Sequence, residues 1–317
     1  MSAVLAARPL LVAATPAEFL ATHLEQHAAV HEGGVDTSGH AWVGETEVLG
    51  EDAAFLRAAH RRILDTDGGT PQMAAKWLVG WAAGTVADAV GFVLGTGGAG
   101  VLVDTAPLRW RLHPGGWVDR VRLDGCTVVV PPGHPWAGQP GVEVVADEAE
   151  LVVRTVDALV RAVRPVVDAV RGIGRVGARS LWAEVADAIA LSPTYQPHLP
   201  VRDDVVERLR TAVTAPGAPW RVSPSVRTAT APWGPVYLGQ KAGCCLAYQR
   251  PEPEPTPDAD LTDAMREYYA LFPPETGAAR VCTTCSLRDP QGCADRQMWW
   301  LGQQVSAAVP AAPTDEG

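Results

Sequence analysis

Apolar residues recur at intervals of three and four through Thr15 to His31, Glu51 to Thr66 and Pro71 to Leu94, and this spacing predicts helices in the first third of the chain. From Val101 to Val130 the period shortens. Val101-Leu102-Val103, Leu108 to Leu112 and Cys126 to Val130 read as short strands divided by Pro-Gly turns, which predicts a small antiparallel sheet. The helical period returns in Ala146 to Arg171, a long amphipathic stretch with Pro165 as a kink, and continues in Gly177 to Leu191 and Arg202 to Val213. Beyond Ala215 the composition turns to Pro, Trp and Gly. There Pro251 to Pro257 alternates proline with acidic residues in the manner of an extended linker, and Asp260 to Phe272 reads as a helix closed by Pro273-Pro274. Asp289 and Pro290 supply the cap and first turn of a final helix, and Ala307 to Gly317 reads as a frayed tail. The pattern predicts an α+β protein, mainly helical with a small antiparallel sheet. Its organisation is a helical and β region over 1–215, a cofactor-binding region over 216–306 and a tail over 307–317.

Trp77 to Val103 holds a single charge, Asp88, and is long enough to cross a bilayer. An acidic residue near the middle costs about 2.5–3.5 kcal/mol on insertion scales. Gly95 to Gly100 also breaks the run, and its far flank has no basic anchors, so the stretch reads as a buried helix followed by a turn and a strand without stable membrane insertion. The Gly95 to Gly100 segment contains a GxGxxG string, but it follows a helix and precedes a strand, the reverse of a dinucleotide fold, and reads as a turn. A formal charge of -10 excludes general nucleic-acid binding, which needs a basic footprint. The opening residues, with Arg8, Pro9 and Pro16, lack a convincing secretory pattern, and a cytoplasmic location is expected. His23, His27 and His31 share one helical face and read as a solvated surface. No hydrolytic triad or phosphate-binding loop is present.

Cysteine use is lopsided. Cys126 sits in a Val-rich run and reads as a small core residue, while Cys244, Cys245, Cys282, Cys285 and Cys293 crowd into the last quarter. A chain this large does not need a disulfide framework, and an adjacent Cys244–Cys245 bridge would be strained. Metal chemistry remains. Cys282-Thr283-Thr284-Cys285 brings two thiolates to one centre, which by itself suits zinc, an iron-sulfur cluster or a redox dithiol. The adjacent pair favours a two-iron cluster, because neighbouring thiolates fit awkwardly around one tetrahedral ion. Cys293 falls near the start of the final helix, where the dipole is expected to lower its pKa. Lys241, Arg250, Arg280 and Arg288 flank the cysteines and read as solvated charges, and Trp299-Trp300 as packed residues, over the cluster or on the last helix's apolar face.

Gly243-Cys244-Cys245-Leu246-Ala247-Tyr248 followed by Cys282-Thr283-Thr284-Cys285-Ser286-Leu287 resembles the C-terminal signature of the FhuF-type ferric-siderophore reductases. The stretch from Gly177 to Ala188, with Trp182 near its start and a face of small residues, is similar to a helix of that family. The resemblance implies a 2Fe-2S cluster on Cys244, Cys245, Cys282 and Cys285, with no catalytic residue beyond it. It further implies one-electron reduction of a bound hydroxamate or catecholate ferric siderophore and an external electron donor such as a ferredoxin or flavin reductase. In the family about ten residues separate the pair from the CxxC; here 36 do, a length that loop-closure entropy tolerates because its cost grows only logarithmically. The competing readings are a non-catalytic iron-sulfur redox sensor and a zinc-stapled binding module.

Overall fold

The computed structural model describes Pro16 and residues 40–308, apart from 124, 197–198, 253–256, 258–259 and 277–280. Apart from Pro16, the helix expected over Thr15 to His31 with its three histidines lies outside the described residues, as do Arg280 and residues 309–317 of the expected tail. Within them the protein is a mainly helical α+β fold with small sheets.

In chain order the elements are β1 (Ala41–Gly44), α1 (Glu45–Val48), α2 (Ala54–Asp67) and α3 (Pro71–Gly97); then β2 (Gly100–Leu102), β3 (Arg109–Leu112), β4 (Val118–Arg122), β5 (Thr127–Val130) and β6 (Val142–Val144). There follow α4 (Glu148–Gly174), α5 (Ala178–Leu191), α6 (Asp203–Val213), the β7–β8 hairpin (Ser225–Ala231, Gly234–Gln240), α7 (Asp263–Leu271) and α8 (Pro290–Ala308). Antiparallel pairing gives the sheets β1-β3-β4 and β7-β8; in β2-β5-β6 the β5–β6 pair is parallel, so the expectation of one purely antiparallel sheet is corrected to three small sheets. Parallel pairing follows from the turns of Pro131 to Gly141, which carry the chain back to the start of β5 before β6 begins.

The core is built around α3, a 27-residue helix long and apolar enough to span a bilayer by composition, 78% of whose most apolar window is buried in the protein. Thr70 caps it by accepting from Met73 N at 3.2 Å, Pro71 occupies the first turn, and π-helical turns at Gly80–Gly84 and Val93–Gly97 interrupt the regular ladder. The GxGxxG string ends this helix: Gly98 adopts the left-handed conformation and Gly100 opens β2, the helix-to-strand order the sequence predicts. Helices α2, α4 and α5 pack on α3. Helix α4 continues unbroken through Pro165, which lies on the exposed face, where water can serve the carbonyl left without its partner. Its opposite face is a stripe of Leu151, Val152, Val156, Leu159, Val163, Val166, Val167 and Val170.

Trp110 of β3 ties the first sheet to α3. It is 1% exposed, and its indole N–H donates to Ala82 O at 2.8 Å. Trp110→Phe removes the donor, leaves that carbonyl without it and opens a void, so a loss of about 2–4 kcal/mol is expected, measured by urea unfolding at constant m-value. Cys126 is partly buried against the core, as a small core residue should be.

Candidate metal centre

Strand β8 delivers the first two cysteines. Its last residue, Gln240, donates from Nε2 to Cys285 O (3.1 Å) and Arg288 O (2.8 Å), and Lys241 N donates to Thr284 O at 2.8 Å. The strand end and the CxxC turn are therefore stitched together before any metal is considered. The turn closes on itself through Cys285 N to Cys282 O at 3.1 Å.

Beneath this junction lies α5. Asp187 accepts from Ala242 N (2.7 Å) and Gly243 N (3.0 Å), fixing the two residues ahead of Cys244. Gly243 sits so close to α5 that a Cβ there would lie 2.9 Å from Ala183 Cβ and 3.1 Å from Asp187 Oδ2. Trp77 of α3 donates its indole N–H to Cys245 O at 3.0 Å, and Arg250, paired with Asp67, lies over the Trp77 ring.

The four sulfurs form two facing pairs. The Cys285 thiol lies 3.9 Å from Cys244 Sγ, and Cys245 is hydrogen-bonded to Cys282. Each loop also turns backbone amides onto its sulfur: Leu246 N to Cys244 Sγ and Leu287 N to Cys285 Sγ, both 3.4 Å, and Ala247 N to Cys245. Among the described residues, no group of three or more His, Cys, Asp or Glu side chains closes on the spacing of a single ion. The cysteines nonetheless lie close together, as a metal-binding site requires.

The electrostatics separate the thiols. Cys245 is brought down to about 6 by its hydrogen bond from Cys282, helped by the Lys241 ammonium and the Ala247 amide and opposed by burial. Cys282, which donates to that thiolate, is pushed well above the ordinary thiol range, and burial raises Cys244 to about 11. Burial alone would lower Lys241, but Glu184, with Tyr195 and the nearby sulfurs, holds it above the usual lysine value. Glu184 also pairs with Lys76 at 2.8 Å, whose ammonium is further held by Ser180 O (2.8 Å) and Oγ (3.1 Å). Lys241 lies 3.8 Å from the other Glu184 oxygen.

Several sequence expectations change here. Lys241 and Arg288 are not solvated charges: they are withdrawn from solvent and pair with Glu184 and Glu275, whereas Arg250 pairs with Asp67 but stays exposed. Cys293 lies in the first turn of α8, which Asp289 caps through Gly292 N at 2.7 Å, yet its thiol is raised rather than lowered. Burial outweighs the helix dipole there, and the thiol donates to Thr283 O at 3.1 Å. Trp299 and Trp300 meet Tyr268 of α7 in tilted ring contacts, so the segment between the cysteine pairs folds back on the last helix, and Trp300 stays exposed rather than packed. Glu184, Asp187, Gln240 and Gln297 were not singled out from the sequence; the signal available was two carboxylates, i and i+3, in the otherwise small and apolar run of α5.

No family model, curated protein or solved structure matches the chain.

Proposed function

We propose that Cys244, Cys245, Cys282 and Cys285 hold a 2Fe-2S cluster and that the protein is a ferric-siderophore reductase. The observation that carries this reading is the pairing of the thiols, Cys244 with Cys285 and Cys245 with Cys282. One tetrahedral ion bonded at about 2.3 Å needs all four sulfurs mutually about 3.8 Å apart. A two-iron centre takes its thiolates two by two. The amides of Leu246, Ala247 and Leu287, directed at sulfur, and the Lys241 ammonium are the donors and charge that such a centre accepts. The Cys-Cys and CxxC segments that resemble the FhuF-type signature supply the substrate class.

Bound there, the cluster would supply one electron, which weakens the hold of hard oxygen donors on ferric iron and releases Fe(II) from the chelate. The chain's own residues hold the thiols in place. Asp187 fixes the loop of Cys244 and Cys245, Gln240 fixes the turn of Cys282 and Cys285, and Trp77 covers the first loop from α3. A separate electron donor, a ferredoxin or a flavin reductase, completes the cycle in the cytoplasm.

The test is visible absorption and low-temperature EPR of protein purified without oxygen, beside a Cys282→Ser, Cys285→Ser variant. A red-brown protein whose one-electron 2Fe-2S signal disappears in the variant, and which reduces ferric hydroxamates or catecholates, is the expected result. A colourless protein with one bound zinc would overturn it.

A further inference from the structure

The segment between the two cysteine pairs carries a surface that the thiol centre does not use. Helix α7 holds Met265, Tyr268, Tyr269 and Leu271, yet none of its side chains is buried. Tyr268 is the hub of a ring cluster, with Tyr269, Phe272, Trp299 and Trp300 around it at centroid distances of 5.8, 5.1, 4.9 and 5.6 Å. Leu271, one helical turn beyond Tyr268, is 58% exposed, and Trp300 is 46% exposed. Half of the large hydrophobic side chains exposed among the described residues, Leu271, Leu287 and Trp300, come from α7, the thiol turn and α8, so apolar exposure gathers beside the cysteines.

Two links tie this surface to the centre. Glu275, three residues beyond Phe272, takes Arg288 in a two-pronged pair at 2.5 and 2.8 Å and Arg296 at 3.0 Å. Arg288 follows Cys285 by three residues and donates to Val281 O at 2.8 Å, while the Arg296 guanidinium lies 4.6 Å over the Phe272 ring. Along α8, Cys293 bonds Thr283 O of the thiol turn at 3.1 Å and precedes Trp300 by seven residues, about 10 Å of helix. The charges on the surface are already matched: Asp263 by Arg266, Glu267 by Gln303 and Glu275 by its two arginines. What it offers a partner is therefore apolar.

We propose that the ring cluster of α7 and α8 is the docking surface for a small one-electron carrier protein that supplies the thiol centre. This rests on the reading of that centre as a 2Fe-2S site: the carrier loses one electron, the centre gains it, and no bond forms or breaks. Size decides between occupants. At about 150–250 Å² for each aromatic side chain and the exposures found here, the cluster leaves about 400 Å² of apolar surface open, the scale of a functional patch on a monomer. That is half of the roughly 800 Å² per partner that a lasting complex buries, too little to hold a second copy of the chain, and it suits redox encounters that part after each transfer. A ferric chelate, rich in oxygen donors, needs a concave pocket with convergent polar groups, and a helix without a buried side chain does not wall one. Elsewhere the net charge of -10 repels an acidic carrier, which directs it to this charge-matched patch.

Titration of an isotope-labelled ferredoxin, and separately of a flavodoxin, with the full chain, read from broadening of the carrier's NMR signals, tests docking apart from electron transfer. At least one carrier is expected to bind, with Kd raised at least about tenfold by Leu271→Ser, Trp300→Ser and unchanged by Val153→Ser on α4, another exposed apolar position. Stopped-flow reduction by the same carrier gives a second readout: the ratio of the carrier-driven rate to the dithionite-driven rate falls at least about tenfold in the double variant. In a red-brown protein, binding of neither carrier, equal loss in the Val153 variant or an unchanged rate ratio would overturn the docking surface alone. A dimer in sedimentation that the double variant disperses would overturn it too, giving the patch to a second copy. A protein with no visible chromophore would instead overturn the cluster reading, and this proposal with it.

Discussion

Glu184→Gln will lower the stability of the fold by about 3–5 kcal/mol, seen as a shift of the urea midpoint at unchanged m-value. Glu184 is the shared counter-ion of two lysines. Its carboxylate meets Lys76 at 2.8 Å and Lys241 at 3.8 Å, and the side chains of Glu184 and Lys76 are 5% and 1% exposed. Glutamine keeps the shape and removes the charge, which leaves two ammonium groups in a region where an uncompensated charge is costly. The exposed pair Arg154–Glu143, 34% and 52% exposed, provides the contrast: Glu143→Gln is expected to cost less than about 1 kcal/mol. A Glu184 variant no less stable than the Glu143 variant would remove Glu184 as the electrostatic keystone under the thiol loop.

A second large effect belongs to Asp187. Burial, with the nearby Glu184 carboxylate, raises its carboxyl from 3.8 to about 7, against the lowering pull of the Ala242 amide, Lys241 and the Gly243 amide. A group with a raised folded-state pKa binds its proton more tightly in the native state. Its contribution is therefore complete below about 4 and is lost as pH rises towards 7, where the buried carboxyl must ionise. At about 1.4 kcal/mol for each pH unit between the two values, the loss approaches roughly 4 kcal/mol. Unfolding free energies of the metal-free protein measured from pH 4 to pH 8, set beside those of Asp187→Asn, isolate it. The difference between the two proteins should narrow as pH rises through this window, since asparagine has no proton to lose. Parallel pH profiles would show that Asp187 already ionises freely in the folded protein.

The helices were legible because their apolar residues must face one core. Ala146 to Arg171 shows that period along its whole length, and α4 follows it to within three residues at either end. The missed strands are those whose pattern is not a simple alternation. In β8, Val236, Tyr237, Leu238 and Gly239 are all buried, because one face meets the helices and the other meets α8, so inward and outward positions do not differ in polarity. In β4, an irregularity opposite Arg111 and Leu112 breaks the register that a period of two would reveal. The four thiols could be read from spacing, since the chemistry of cysteine is carried by the side chain itself. Asp187, Gln240 and Gln297 could not, because their partners are backbone groups of residues far along the chain, and a backbone amide leaves no mark in the sequence.

Strand β8 has β7 on one side only. On the other, Gly239 N donates to Gln297 Oε1 at 2.9 Å, Gln297 Nε2 returns a bond to Gly239 O at 2.8 Å, and Lys241 N reaches Thr284 O at 2.8 Å. A side-chain amide and a two-threonine turn thus occupy the places a third strand would fill. An open strand edge invites pairing with another chain. The turn bearing Cys282 and Cys285 thus also covers this strand edge, and one hydrogen bond, from Lys241 N to Thr284 O, both fixes the cysteine loop and closes the open side of the hairpin.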